Sequence, residues 1–226
     1  MKTRSAKILI ITTSAIEYKF IQQTFENLKS LDERHSFAEQ GENEYVILKS
    51  DPGIFSLSYY LCRELFQNKY GLAVNIGICG SFKSEYDSGK VIRVQSDLFA
   101  DIGTEDGRDL FEMGLLKRSD FPFSNGKIGD NPGDILNIPN EINPVNAITV
   151  NRVSTSDENI SYLKTRYKPD IETMEGAMFF YICAMEKINY LQLRAVSNQV
   201  GVRDKTRWEI DKAMKAIKDV LKMMIS

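Results

Sequence analysis

The stretch Leu72-Ala-Val-Asn-Ile76, followed by Gly77-Ile-Cys-Gly-Ser81, decides the fold. A short, mostly apolar run bounded by glycines is typical of a buried strand. The small residues at 77–81 predict a tight glycine turn directly after that strand. The turn matches neither the GxGxxG fingerprint of dinucleotide sites nor the GxxxxGK[ST] loop of phosphate-binding nucleotide sites. Any ligand at this turn is therefore of another class.

Strand and helix patterns alternate on both sides of this stretch, which indicates an α/β fold with a parallel or mixed central sheet. Four of the six prolines fall in 116–145, where we predict a long loop. Thr206 and Glu209 have the spacing of a capping box, which predicts that the last helix begins at Thr206. The predicted strands are 6–13, 45–49, 72–76, 90–94, 97–101, 147–153, 170–174 and 190–197, and the other predicted helices are 15–30, 55–70, 157–167 and 175–187.

Composition excludes several classes of protein. The chain has 226 residues, 42% of them hydrophobic and 10% aromatic, which is enough apolar surface for one folded domain spanning 1–226. A net charge of −2 without a basic cluster argues against a nucleic-acid partner. One histidine and three widely spaced cysteines predict neither a metal site nor a disulfide framework. No apolar run is long enough to span a membrane, so we expect a cytoplasmic protein.

Polar residues follow the predicted strands, at the edge where α/β sheets bind ligands. They are Ser14 and Glu17 after the first strand, the 77–81 turn, Glu175 and Asn198. Each also has a structural explanation, because carboxylates at helix starts complement the helix dipole and an asparagine can cap a turn. Two carboxylates, an amide and a glycine turn on one edge would nevertheless form a polar site.

Taken in order, these segments resemble the nucleoside phosphorylase and nucleosidase superfamily across nearly the whole chain. The resemblance implies a single-domain, three-layer α/β/α fold with a mixed central sheet. Within the superfamily the chain is most similar to the futalosine hydrolases of menaquinone biosynthesis. The matching segments are Ala15-Ile-Glu17, Asn75-Ile-Gly-Ile-Cys-Gly-Ser81, Ile171-Glu-Thr-Met-Glu-Gly-Ala177, Arg194-Ala-Val-Ser-Asn198 and, for the branch, Met113-Gly-Leu-Leu116, Asp120-Phe-Pro-Phe123 and Ser197-Asn-Gln-Val-Gly-Val-Arg-Asp204 with Trp208.

The resemblance implies cleavage of an N-glycosidic bond through an oxocarbenium-like sugar, without a cofactor or metal. It makes Glu17 the base that orients and deprotonates water, and Glu175 the carboxylate that accepts from two ribose hydroxyls. Met174 would pack against the sugar. The backbone of the turn residues, Gly77, Ile78, Cys79 and Gly80, would approach the nucleophile and the base.

Two departures from the superfamily favour a branch. Related phosphorylases carry a phosphate-binding arginine at the position of Asn75 and a serine at Ile78, so this chain lacks a dianion site there and water is the favoured acceptor. Adenine-specific nucleosidases carry an aspartate at the position of Asn198. An amide can donate to the 6-oxygen of a 6-oxopurine and accept from its protonated ring nitrogen. Alternatives are a purine nucleoside phosphorylase, a methylthioadenosine/S-adenosylhomocysteine-type nucleosidase and a non-catalytic nucleoside-binding protein.

The substrate tail of the futalosine branch ends in a benzoate, which would require a cation and an aromatic wall. Arg203 and Arg207 are the candidate cations. Phe111, Phe121 and Phe123 are candidates for the wall, contributed by the same or a neighbouring subunit. The resemblance also implies a homodimer or a higher homo-oligomer.

Overall fold

The computed structural model describes residues 5–104, 107–202 and 204–226. Within these ranges the chain forms ten strands, five α-helices and one 3₁₀ turn. The strands are β1 (Lys7–Thr12), β2 (Lys29–Ser30), β3 (His35–Gln40), β4 (Asn43–Lys49), β5 (Leu72–Ser81), β6 (Val91–Asp97), β7 (Ile128–Gly129), β8 (Asn143–Thr149), β9 (Ile171–Thr173) and β10 (Asn189–Gln199). The helices are α1 (Ala15–Gln22), α2 (Ile54–Gln67), α3 (Asp157–Tyr167), α4 (Gly176–Met185) and α5 (Ile210–Ile225), and the 3₁₀ turn is Lys205–Arg207.

All ten strands belong to one mixed sheet with the order β10-β6-β8-β9-β5-β1-β4-β3-β2, and β7 pairs with β6. Strands β4, β1, β5 and β10 run parallel to one another, whereas β6 is antiparallel to β10 and β9 is antiparallel to β5. Because β5 also pairs with β10, the strands β5, β10, β6, β8 and β9 form a closed circuit of pairings. This circuit brings β10 and β5 together along almost their full length.

Helices cover both faces of the sheet, as the three-layer expectation requires. Side chains alternate along β1, so that Ile8 and Ile10 face the core formed with α1 and α5, while Leu9 and Ile11 face the core formed with α2 and α4. Helix α5 has its apolar residues at helical spacing, including Ala213, Ile217 and Leu221 on the buried side. The predicted α/β/α architecture is confirmed.

The predicted turn at 77–81 is wrong, because β5 continues through these residues to Ser81. Its second half pairs with β10 on one side, where Gly77 lies opposite Arg194 and Gly80 opposite Asn198, and with β9 on the other. These pairings occupy many of the backbone groups that a turn would have left free, but the Ile78 N–H donates to the Glu17 carboxylate. The small residues allow close side-chain approach to the strand.

Other boundaries also differ from the sequence expectation. Helix α1 ends at Gln22, and the remainder of the predicted helix contains the short strand β2, which pairs with the unpredicted strand β3. The inward residues of β3 include Ser36 and Ala38, so its hydrophobic pattern is weak. Of the predicted strand 97–101, Asp97 alone is in a strand, as the end of β6.

The loop and capping-box predictions need correction as well. The loop predicted over 116–145 contains β7 and ends where β8 begins at Asn143. Helix α5 begins at Ile210, and no capping box forms at Thr206. Instead, the Asp204 carboxylate accepts from the backbone N–H of Thr206 at 3.0 Å and from its hydroxyl at 2.6 Å. In the described part of the chain, every helix is too short or too polar to cross a bilayer.

Candidate active site

Gly77 in β5 marks the point where two charged side chains converge. A Cβ atom added there would lie less than 3.0 Å from the Arg194 guanidinium and 2.5 Å from the Glu17 Oε1 atom. Both neighbours are buried, with exposed fractions of 1% for Arg194 and 4% for Glu17. Only a residue without a side chain leaves space for both groups at this strand position.

Glu17 lies in the first turn of α1, and four donors hold its carboxylate. The Oε2 atom accepts from the Thr13 backbone N–H at 3.1 Å, the Thr13 hydroxyl at 3.3 Å and the Ser14 hydroxyl at 2.9 Å. The Oε1 atom accepts from the Ile78 backbone N–H at 3.0 Å. Ser14 also caps α1 by accepting from the Glu17 backbone N–H. These contacts fix the carboxylate between the C-terminal end of β1 and the middle of β5.

Arg194 is a buried cation in the middle of β10. Its Nε–H donates to Gln192 Oε1 at 2.8 Å, and one of its terminal nitrogens donates to Asn75 Oδ1. In the sequence, Arg194 belongs to a matching segment but has no predicted role of its own. The register of β5 on β10 places Asn75 opposite Gln192, two residues before Arg194, and so brings the cation to Asn75. The sequence signal for this residue is an arginine inside the apolar strand Leu191–Val196. Because charged side chains are rarely buried without a partner, such an arginine indicates a polar site in the core.

Glu175 precedes α4 and is 5% exposed, but its carboxylate does not cap the helix. Hydroxyl groups from two neighbouring strands cap it instead: Thr173 accepts from the Gly176 N–H at 3.2 Å and Thr149 from the Ala177 N–H at 2.8 Å. The Glu175 carboxylate is therefore not needed as a hydrogen-bond acceptor for the first N–H groups of α4. This arrangement argues against the view that Glu175 only complements the dipole of α4.

The surroundings of Glu175 combine burial with opposing charges. Its Oε1 atom accepts from the Gly53 backbone N–H at 2.7 Å, and Gly53 has a positive φ of 94°. Burial raises the pKa of Glu175, and the nearby negative charge of Glu17 raises it further. The charge of Arg194 and the Gly53 N–H act in the opposite direction. The two glutamates and the arginine therefore form one electrostatic unit.

Asn198 lies within β10, although the sequence pattern predicts that this strand ends at Ser197. A bulge between Val196 and Asn198 shifts the register and places Asn198 opposite Gly80. Its Oδ1 atom accepts from the Ser197 hydroxyl at 2.7 Å and its Nδ2 atom donates to the Gln199 carbonyl at 3.0 Å. Since an amide has two donor hydrogens and two acceptor lone pairs, one donor and one acceptor remain for a ligand.

The other predicted site residues have different surroundings. Met174 and Ile78 are half-buried beside Glu175 and Gly77 in the chain, respectively, and Cys79 is buried in the core. Burial raises the pKa of the Cys79 thiol to about 12, so this cysteine is a neutral packing residue. Arg203 lies outside the described residues, and Arg207 is exposed in the 3₁₀ turn.

The aromatic residues of the predicted wall separate into two groups. Phe111 and Phe123 pack edge to face with ring centroids 5.2 Å apart, and Phe123 also contacts Tyr181 of α4. Phe121 is 68% exposed. The first two rings are thus part of the packing against α4, whereas the third is available to a ligand or to another subunit.

Comparison with known proteins gives related sequences and a shared fold. No protein-family profile matches the chain. The futalosine hydrolase of Thermus thermophilus is 24% identical over 80% of this chain and 81% of its own length. The futalosine hydrolase of Streptomyces coelicolor is 29% identical over 67% of this chain and 64% of its own length.

Two solved structures share the fold at lower sequence identity. The futalosine hydrolase of Helicobacter pylori superposes with a TM-score of 0.80 at 15% identity, covering 99% of this chain and 97% of that one. The S-adenosylhomocysteine nucleosidase of Streptococcus pyogenes, solved with 5-methylthiotubericidin, also gives a TM-score of 0.80 at 15% identity, with coverages of 98% and 97%. The chain therefore has the nucleoside phosphorylase fold of these nucleosidases, and its sequence is similar to those of futalosine hydrolases.

Proposed function

We propose that the protein hydrolyses the N-glycosidic bond of futalosine, releasing hypoxanthine and dehypoxanthine futalosine in menaquinone biosynthesis. The names of its sequence relatives support this substrate. The observation that carries the proposal is the grouping of two buried glutamates, Glu17 and Glu175, around one buried arginine, Arg194. A purely structural site would gain little from burying three charges that interact so closely.

Glu17 is the proposed base. Its carboxylate is held by four donors, so it does not need to reorganise when a water molecule is placed beside it. The missing side chain at Gly77 lets the Glu17 and Arg194 side chains lie close to β5, and the water is proposed to bind beside the Glu17 carboxylate. Removing the proton from the attacking water is a step worth typically about 10²–10⁴-fold in rate.

Glu175 is the proposed ribose-binding group. One of its oxygens accepts from the Gly53 N–H, and its remaining lone pairs can accept from the cis hydroxyls of a ribose. Arg194 balances the negative charge of the carboxylates while the sugar develops positive charge. Met174, which precedes Glu175, would provide the apolar surface under the sugar.

Asn198 is the proposed base-reading residue. The unused Nδ2 hydrogen can donate to the 6-oxygen of hypoxanthine, and the unused Oδ1 lone pair can accept from the ring nitrogen protonated on departure. An aspartate at this position would lack the donor. The amide therefore favours a 6-oxopurine over a 6-aminopurine.

Water is favoured over phosphate as the acceptor by the surroundings of Asn75. This residue is fully buried, and its amide is used by the Ile11 carbonyl at 3.1 Å and by Arg194. Arg194 is in turn held by Gln192 and Asn75 and interacts with Glu175. A cation shared among these partners and placed between carboxylates is poorly suited to bind a dianion.

A substrate panel tests the proposal. Futalosine, aminodeoxyfutalosine, methylthioadenosine and inosine are each incubated with the protein, with and without phosphate, and the released bases are separated by chromatography. We expect the highest kcat/KM for futalosine, and the same rate in both buffers. A higher kcat/KM for a 6-amino substrate would contradict the role of Asn198. Turnover that requires phosphate would make the protein a phosphorylase.

We also propose that the protein forms a homo-oligomer in the reducing cytoplasm. Three aromatic side chains form an exposed stripe on α2, where Phe55 is 84% exposed, Tyr59 58% and Phe66 89%. Their spacing of four and seven residues puts them on one face of the helix. The three cysteines all lie among the described residues and are free thiols, as is usual in the cytoplasm.

Light scattering after gel filtration tests the oligomer. The wild-type protein should elute as a dimer or larger species, and Phe66→Glu should shift it toward the monomer. Leu31→Glu is the matched control, because Leu31 is 62% exposed outside the stripe. A monomeric wild-type protein, or equal effects of both substitutions, would contradict this interface.

A further inference from the structure

A buried carboxylate that the proposed reaction does not use lies behind the active site. Asp97 ends β6 and is fully buried. Its Oδ1 atom accepts from the Leu98 backbone N–H at 2.8 Å and from the Thr149 hydroxyl at 3.0 Å. Its Oδ2 atom accepts from Gln192 Nε2 at 3.3 Å. All three hydrogen bonds of this carboxylate are therefore accepted from fixed donors.

The Gln192 side chain connects Asp97 to Arg194. Its Nε2 atom donates to Asp97, and its Oε1 atom accepts from the Arg194 Nε–H at 2.8 Å. An amide can be turned in either of two directions, and the direction is determined by what lies at each end. Arg194 can only donate, so the productive orientation requires an acceptor at the other end of Gln192. The Asp97 carboxylate is that acceptor.

The start of α4 packs against the same pair. A Cβ atom added to Gly176 would lie less than 3.0 Å from the Asp97 carboxylate and from both polar atoms of Gln192. Thr149 donates to Asp97 while accepting from the Ala177 N–H of α4. The residue after Glu175 is thus in direct contact with the Asp97–Gln192 pair, and Thr149 fixes Asp97 in place.

We propose that Asp97 is a positioning residue, which acts through Gln192 to hold the Arg194 guanidinium between Glu17 and Glu175. This inference rests on the proposed function only where kcat is measured with futalosine. Arg194 is the charged side chain that faces Asp97 across Gln192; the other groups around Asp97 are neutral, namely Thr149, Gln192, the Leu98 N–H and Gly176.

The Asp97→Asn variant tests the proposal, with assays at pH 8. The new amide nitrogen turns Gln192 so that Nε2 faces the Arg194 Nε–H, donor against donor. One mismatched buried group predicts a fall in kcat of about 5- to 150-fold, with KM changed less than about threefold. Glu64→Gln is the matched control, because Glu64 is a buried carboxylate held by Tyr70 and Asn68 on the far part of α2. We expect that control to keep the wild-type kcat.

A double-mutant cycle with Gln192 tests whether Asp97 positions Arg194 through Gln192 or only supports the fold. Adding Asp97→Asn to Gln192→Leu should lower kcat by less than about threefold more, since both substitutions break the same connection. Additive effects would show that Asp97 does not act through Gln192. If the Gln192 variant does not fold, the spectroscopic measurement on Asp97→Asn alone decides.

That measurement requires no substrate. Arg194 is the one buried arginine among the described residues, so a slowly exchanging Nε–H signal in ¹H–¹⁵N spectra is assigned to it. We expect Asp97→Asn to shift this signal or to abolish its protection from exchange. An unchanged signal together with unchanged kcat would overturn the proposal. Failure of the proposed function would appear instead as a wild-type protein that does not cleave futalosine, with the Nε–H signal still sensitive to Asp97.

Discussion

Gly77→Ala tests whether Glu17 and Arg194 belong to one site. The new methyl group would lie 2.5 Å from Glu17 Oε1 and closer still to the Arg194 guanidinium. Ordinary contact begins near 3.4 Å, so the Glu17 oxygen must retreat by about 0.9 Å and the guanidinium by more. Misplacing a catalytic group by about 1 Å can cost about 10²-fold in rate. We therefore expect kcat/KM to fall by about 10²-fold or more.

The expected loss of stability is limited to about 1–3 kcal/mol, because the atoms that must move are the ends of side chains. Urea unfolding and initial rates on the same sample separate the two effects. Gly129→Ala is the control, since Gly129 is exposed in β7 and its new methyl group would lie 3.8 Å from the Gln95 carbonyl oxygen. A folded Gly77→Ala variant with near-wild-type kcat/KM would refute the convergence of the two charges in the active site.

Three further predictions follow from the same geometry. Glu175→Gln places an amide donor against a ribose hydroxyl, so kcat/KM should fall about 5- to 150-fold with little change in the urea midpoint; a change in stability alone would return Glu175 to a structural role. Asn198→Asp removes the donor to the 6-oxygen, and the kcat/KM ratio of futalosine to aminodeoxyfutalosine should shift toward the 6-amino substrate; a constant ratio across pH 5–8 would show that Asn198 does not read the base. Burial raises the pKa of Asp97 to about 7, so the folded state holds a proton that the unfolded state loses near pH 4, and unfolding free energy should fall as pH rises between these values. Asp97→Asn has no carboxyl group to titrate at this position. In urea titrations, its free energy of unfolding should therefore rise relative to that of wild type between pH 5 and pH 8. Parallel pH curves for the two proteins would contradict the raised pKa of Asp97.

The sequence predicts those helices and central strands in which apolar residues recur at helical spacing or form a continuous run. Helices α2, α3 and α5 have apolar or capping patterns that determine them locally, and β1 and β10 are apolar runs with buried side chains on both faces. Strand β3 could not be predicted, because small and polar residues face inward on it.

The sequence predicts the residues of the candidate site, but it does not predict how they are arranged in space. Glu17, Glu175 and Asn198 follow from their order along the chain, whereas the role of Gly77 depends on which strands flank it. Its neighbours are set by the register of β5 on β10, a long-range pairing that local sequence does not specify. The same register brings Arg194 to Asn75, and no spacing rule along the chain predicts that contact.

The rate of hypoxanthine release from futalosine, measured across a series of phosphate concentrations, tests the central claim most directly. Glu17→Gln serves as the matched blank, because the variant keeps the side-chain shape and loses the proposed base. We predict a wild-type rate that does not depend on phosphate, a free sugar as the second product, and a rate at least about 10²-fold lower for the variant. Phosphate-dependent release of a ribose 1-phosphate, or equal rates for the two proteins, would contradict hydrolysis by a water molecule held at Glu17.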